Sequence, residues 1–89
     1  MSPPDQALPR ATLDRLETHH AAVVTAIQAP DGMPEWRLWL EEIGFLPGEA
    51  VRVLARGVPG GDPLVVRVGG STFALRQAEA ACVQVEAGP

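Results

Sequence analysis

Two short runs of alternating residues constrain the fold more than any other feature of this sequence. They are Ala50–Arg56, in which the predicted inward residues are Val51, Val53 and Ala55, and Leu64–Val68, which repeats the same period of two. The segment between them is rich in Gly and Pro, which is typical of a loop that joins two strands. The sequence therefore predicts antiparallel strands that turn one face toward a core.

One helix is predicted just before these strands, from about Pro34 to Ile43. Its apolar residues follow the helical spacing i, i+3, i+4 and i+7: Trp36, Trp39, Leu40 and Ile43. Gly44 suits the left-handed position after a helix, and Pro47 prevents the helix from continuing. Both ends of the helix are therefore marked in the sequence.

The remaining segments predict more short strands rather than long helices. Residues 1–11 are expected to be a flexible arm, and a short helical turn is expected to begin at Thr12 and to be held by Leu13 and Leu16. Later strands are expected at Thr72–Arg76 and Cys82–Glu86, with Cys82 on the outward face. Residues 12–86 then form one mainly β domain, an antiparallel barrel with one inserted helix.

Composition excludes several classes of protein. The formal charge is −4 and the chain has no Lys, so nucleic acid is not an expected partner. A single Cys rules out an intrachain disulfide and fits a reducing compartment. No apolar run reaches the roughly 18 residues of a membrane span. We expect a soluble, cytoplasmic protein that does not insert into a membrane.

Several short motifs, in this order along the chain, resemble the FeoA family, ferrous iron transport protein A. They are Leu40-x-x-Ile43-Gly44-x-x-Pro47-Gly48, Gly61-Asp62-Pro63-Leu64, and Leu75-Arg76-x-x-Glu79-Ala80-x-x-Val83-x-Val85. The resemblance implies a small SH3-like β-barrel that acts in the cytoplasm beside the FeoB ferrous iron permease. It implies an accessory or regulatory protein and brings no catalytic residue with it.

Candidate partner-binding residues lie on and after the predicted helix. Leu38 is opposite the apolar stripe, Trp39 need not be fully buried, and Phe45 and Leu46 cannot easily both point inward. Exposed apolar patches of this kind mark protein contacts. Arg56 is a further candidate, because an arginine presented to the GTPase domain of the permease could stabilise charge on the transferred phosphate.

The metal-seeking residues of the sequence are His19, His20 and the nearby Glu17. Adjacent strand residues point to opposite faces, so the two imidazoles can share one ion only from a turn or with a second molecule. The expected site is exposed and incomplete, would hold Zn²⁺ or Fe²⁺ weakly, and could bridge a homo-oligomer. Solvated turn histidines without a metal are the alternative, and no metal is required.

Three functions remain open at this point. The first is a non-enzymatic accessory protein that binds the cytosolic part of an FeoB-type permease. The second is a metal-responsive domain related to the C-terminal SH3-like domain of iron-dependent repressors, although we expect no helix-turn-helix before the barrel. The third is a carrier or sensor of divalent metal. No nucleophile has a base at a recognisable spacing, so an enzyme is not expected.

Overall fold

The computed structural model describes residues 10–87, which form a mainly β domain. Its elements in chain order are β1 (Arg10–Thr12), a 3-10 turn (Leu13–Arg15), β2 (Ala22–Ile27), α1 (Glu35–Glu42), β3 (Ala50–Arg56), β4 (Leu64–Val68), β5 (Ser71–Leu75), α2 (Gln77–Ala80) and β6 (Val83–Ala87). The predicted helix is confirmed to within one residue at each end. Most of the predicted arm lies outside the described residues, and its last two residues, Arg10 and Ala11, belong to β1.

The strands of the described region form one antiparallel sheet in the order β1-β6-β2-β3-β4-β5. Strand β1 was not predicted, because its first residues were assigned to the flexible arm; it pairs with β6 through Ala11 and Val85. The sheet is not closed into a continuous barrel, because β1 and β5 are its two edges. The last strand of the chain therefore lies inside the sheet, next to the strand that precedes the helix.

The inner face of the sheet carries the core. In β4 the residues predicted to point inward are all buried: Leu64, Val66 and Val68. Leu13 and Leu16 are also buried, as expected for residues that hold the N-terminal turn against the sheet. Helix α1 contributes Leu40, which is 0% exposed, while Trp36 and Ile43 are only partly buried. The helix is thus attached to the core mainly through one side chain.

Two predicted orientations are wrong, each for a local reason. Ala55 is exposed rather than inward, because the register of β3 against β4 shifts between Val53 and Ala55. Cys82 is 4% exposed rather than outward, because the strand begins one residue later. Its backbone N–H donates to the carbonyl of Glu79 at 3.1 Å, so Cys82 belongs to the turn after α2, where strand alternation does not apply.

Candidate partner-binding surface

Helix α1 turns an apolar and acidic face to solvent. Leu38 is 63% exposed and Trp39 is 40% exposed. At 3.6 residues per turn, Glu35 and Glu42 project between these two side chains on the same side of the helix. The face opposite to buried Leu40 therefore offers a partner two large apolar groups and two carboxylates.

Trp39 also borders a hollow of about 450 Å³. Its other walls come from the end of the β3–β4 loop, from β5 and from α2: Asp62, Pro63, Ala74, Arg76 and Glu79. The sequence analysis missed these residues, because they are far apart in the chain and only the packing of α1 brings Trp39 beside them. The hollow lies next to an exposed aromatic side chain, an arrangement suited to a side chain of a partner.

The structure separates Phe45 from Leu46. Phe45 is 0% exposed and lies against Phe73, with ring centroids 6.5 Å apart, whereas Leu46 is 45% exposed. The backbone N–H of Phe45 donates to the carbonyl of Leu40 at 3.0 Å, which turns the chain back over the end of the helix. Phe45 is therefore corrected from a surface residue to a core residue. We name the remaining residues, Leu38, Trp39 and Leu46, the α1 surface.

Arg56 does not present its guanidinium to a partner. Its Nη1 donates to the backbone carbonyl of Asp14 at 2.9 Å, and its Nη2 donates to the carbonyl of Leu16. The side chain is half-buried between β3 and the N-terminal turn. Two carbonyl groups hold this guanidinium in place, which favours a structural role for Arg56 over the predicted partner-binding role.

Glu17, His19 and His20 lie together in the turn before β2. His19 is exposed and has a φ of 71°, and its backbone N–H donates to the carbonyl of Val53 at 2.7 Å. The N–H of His20 donates to the carbonyl of Glu17 at 3.1 Å, which closes the turn. Within residues 10–87 no three His, Cys, Asp or Glu side chains are grouped so that they could hold a metal ion. One chain alone therefore does not provide a complete site among these residues.

The family of the chain follows from comparison with known sequences. The model of the FeoA domain matches residues 11–87, which is nearly the whole of the described region. The chain belongs to the FeoA family. The FeoA resemblance of the sequence motifs is thereby confirmed. No curated protein matches the sequence with significance.

Solved structures of FeoA proteins share the fold of this FeoA-family chain. FeoA of Stenotrophomonas maltophilia, solved with zinc and described as a prokaryotic SH3 domain protein, is 44% identical, with a TM-score of 0.76 over 83% of this chain and 87% of that one. FeoA of Chlorobium tepidum is 31% identical, with a TM-score of 0.74 over 88% of this chain and 70% of that one. The SH3-like fold class is therefore confirmed.

A manganese-dependent transcriptional repressor contains the same fold. It is 23% identical, with a TM-score of 0.76, and the match covers 92% of this chain but only 44% of the repressor. Because the identity is low, this likeness concerns the fold alone. Within the described part of the FeoA-family chain, neither helix has the length and apolarity needed to cross a bilayer.

Proposed function

We propose that this protein is a non-enzymatic accessory protein of ferrous iron uptake that acts in the cytoplasm and binds the cytosolic part of an FeoB-type permease. Membership of the FeoA family supports the association with ferrous iron transport. The S. maltophilia protein is itself described as a candidate activating factor of bacterial ferrous iron transport. A binding role also fits a domain whose candidate site is a surface rather than an enclosed pocket.

The observation that carries this proposal is the exposure of Leu38, Trp39 and Leu46 on and after α1. A helix that needed only to cover the core would expose polar residues at these positions, because apolar area left in water gains nothing for the fold. Glu35 and Glu42 lie on the same face, so the matching surface of the permease should combine apolar and basic groups. The α1 surface acts as a scaffold contact and does not take part in chemistry.

The first prediction tests the α1 surface against the purified cytosolic domain of the permease. Trp39→Ala or Leu38→Asp should weaken association by about 1 to 3 kcal/mol, since aromatic and large apolar anchors carry most of the energy of an interface. That corresponds to roughly a 5- to 150-fold rise in the dissociation constant, measured by isothermal titration calorimetry.

Val58→Asp is the matched control, because Val58 is 94% exposed but lies on the β3–β4 loop. It should leave the dissociation constant unchanged. If folded Leu38 and Trp39 variants bind as tightly as the parent, the contact lies on another face. If the parent itself does not bind the domain, the proposed function is wrong.

A second proposal concerns metal, and the zinc in the structure of the S. maltophilia relative favours it. Glu17, His19 and His20 share one turn, but within residues 10–87 they are not grouped closely enough to hold a metal ion in one chain. We therefore propose a weak Zn²⁺ or Fe²⁺ site that two copies of the chain complete together. Such a site would make metal a bridge between copies rather than a required cofactor.

A further inference from the structure

Two arginines lie directly opposite each other on the outward face of the sheet. Arg52 of β3 pairs with Arg67 of β4, and both side chains are exposed. Residues in such register have Cβ atoms about 4.5 to 5.5 Å apart, and like charges at this separation destabilise the sheet. Thr72 continues the row on β5 opposite Arg67, so no carboxylate stands at that position.

No carboxylate within the described region neutralises this arginine pair. The guanidinium groups of Arg37 and Arg56 have hydrogen-bond partners, whereas those of Arg52 and Arg67 make no hydrogen bond or ion pair with residues 10–87. The whole chain has more acidic than basic residues and a formal charge of −4. The lack of a carboxylate partner for this pair among residues 10–87 therefore does not come from a shortage of acidic residues. The arrangement leaves two fork-shaped donors on adjacent strands, and each can bind a carboxylate through two N–H groups.

The surroundings of the arginine pair are apolar. A hollow of about 380 Å³ contains both arginines in its wall, together with Ala50, Leu54 and Gly69. Leu54 is half-buried. Val65, two positions before Arg67 on the same face of β4, is also half-buried. A carboxylate oxygen of Glu49 lies beside Gly69 at one end of the hollow, but it forms no ion pair with either arginine.

We propose that the outward face of β3 and β4 is a docking site for an acidic segment of a protein partner, in which carboxylates that bind Arg52 and Arg67 are flanked by apolar side chains. A free inorganic anion would use only the charges, whereas such a segment also covers the apolar wall of the hollow. The face is open, so it cannot enclose a small molecule as a ligand pocket does. This site shares no residue with the α1 surface and does not depend on the permease being the partner.

A short capped peptide provides the direct test. The probe is a tetrapeptide of two glutamates between two leucines, titrated into ¹⁵N-labelled protein at low salt, with the glutamine version of the peptide and inorganic phosphate as separate arms. The glutamate peptide should shift the amide signals of β3 and β4 in a saturable way, and the glutamine peptide should not. Equal binding of both peptides, binding of phosphate as tight as that of the peptide, or no shift at millimolar peptide would overturn the proposal.

Variants of the two arginines separate binding from folding. Arg52→Gln plus Arg67→Gln should weaken peptide binding by about tenfold, because charge-assisted contacts to both carboxylates are lost. The same double variant should unfold at a higher temperature than the parent, since it removes the opposed charges. A purely structural pair would show the reverse, a lower unfolding temperature with peptide binding unchanged, and that result would overturn the proposal.

Two further variants serve as internal controls. Arg15→Gln removes an exposed arginine outside the hollow and should leave peptide binding unchanged. Glu49→Gln removes the carboxylate that lies beside Gly69 at the hollow and should tighten binding of the glutamate peptide, because it removes repulsion. Loss of binding in Arg15→Gln equal to the loss in the double variant would mean that the peptide follows overall charge rather than this site, and would overturn the proposal.

Discussion

At the scale of single residues, Arg56 has the clearest energetic role. Its guanidinium joins β3 to the carbonyl groups of Asp14 and Leu16, which lie 42 and 40 positions earlier in the chain. These carbonyls end the N-terminal turn that carries Leu13 and Leu16 into the core. The arginine thus adds a side-chain link between β3 and the N-terminal turn.

The second prediction follows from these contacts. Arg56→Ala should lower the free energy of unfolding by about 1 to 3 kcal/mol, because two backbone acceptors lose a charged donor. Arg37→Ala is the comparison: it breaks an exposed ion pair with Glu41 at 3.2 Å, which is worth only about 0.3 to 0.5 kcal/mol. Urea denaturation of both variants measures the difference. Equal losses of stability would show that the carbonyl contacts of Arg56 contribute little.

Cys82 is the second residue whose environment changes its chemistry. Burial raises the pKa of the Cys82 thiol above its ordinary value, and the carboxylates of Glu79 and Asp14 raise that pKa further. The thiol contacts the carbonyl of Ala78 at 3.5 Å. At neutral pH this group is therefore a protonated, shielded thiol and a poor nucleophile.

The third prediction concerns the pH dependence of this thiol. Because the pKa is higher in the folded state, the unfolded thiol ionises first, and stability from this group is lost as pH rises through the folded pKa. Labelling with iodoacetamide should be slow at neutral pH in the native protein and should become fast in urea. Cys82→Ala should remove part of the loss of stability at alkaline pH. Rapid labelling of the folded protein at neutral pH would contradict this account.

At the scale of elements, the side chains of Asp62 and Gln77 hold the β3–β4 loop and α2 together. Asp62 Oδ1 accepts a hydrogen bond from the backbone N–H of Gln77 at 3.0 Å, and Gln77 Nε2 donates to the carbonyl of Gly60 at 3.1 Å. Asp62 therefore satisfies an N–H of the first turn of α2 from a distant segment. The start of α2 is also closed locally, since Glu79 Oε1 accepts from the N–H of Arg76 at 2.8 Å.

The fourth prediction tests this contact. Asp62→Ala should destabilise the protein by about 0.5 to 2 kcal/mol, the usual cost of removing a helix cap. Asp62→Asn keeps an acceptor oxygen and should retain most of the stability. Asp31→Ala, in the exposed turn before α1, is the matched control and should change little. Thermal unfolding distinguishes the three, and a loss in Asp31→Ala as large as in Asp62→Ala would mean that the cap is not the cause.

At the scale of the whole molecule, the N-terminal turn, the helix and the sheet place three surfaces at different positions. The α1 surface is apolar and acidic, the outward face of β3 and β4 is basic, and the turn of residues 17–20 carries the histidines. The proposed protein contacts and the proposed metal site therefore use separate parts of the molecule. Metal-dependent association of two copies, if it occurs, would be a property of the molecule as a whole.

The fifth prediction is a change of mass with metal. Zn²⁺ should increase the sedimentation-average mass of the parent protein, because a second copy completes the ligand set around His19 and His20. The sedimentation-average mass of the double variant His19→Ala plus His20→Ala should not change with Zn²⁺. Cys82→Ala should behave like the parent, since the Cys82 thiol of the parent is buried. Unchanged zinc affinity and unchanged self-association in the histidine variant would remove the proposed site.

The sequence by itself determined the antiparallel strands, the bounds of α1 and the inward residues of β4. These features depend on side-chain periodicity and on Gly and Pro positions within a few residues of each other, so they can be recognised without knowledge of the fold. The family and the SH3-like fold class came instead from the resemblance of the sequence motifs to the FeoA family. The exposure of Leu38 also follows from its position opposite Leu40 on the helix.

Only the tertiary structure decided which of Phe45 and Leu46 is buried, where the guanidinium of Arg56 goes, and that Arg52 faces Arg67. Each of these depends on the register between strands or on contacts between segments that are distant in the chain. A shift of one residue in register moves every side chain to the other face, and no local pattern specifies that register across a long loop. The chemistry of this molecule's surfaces was therefore set by how its short elements pair.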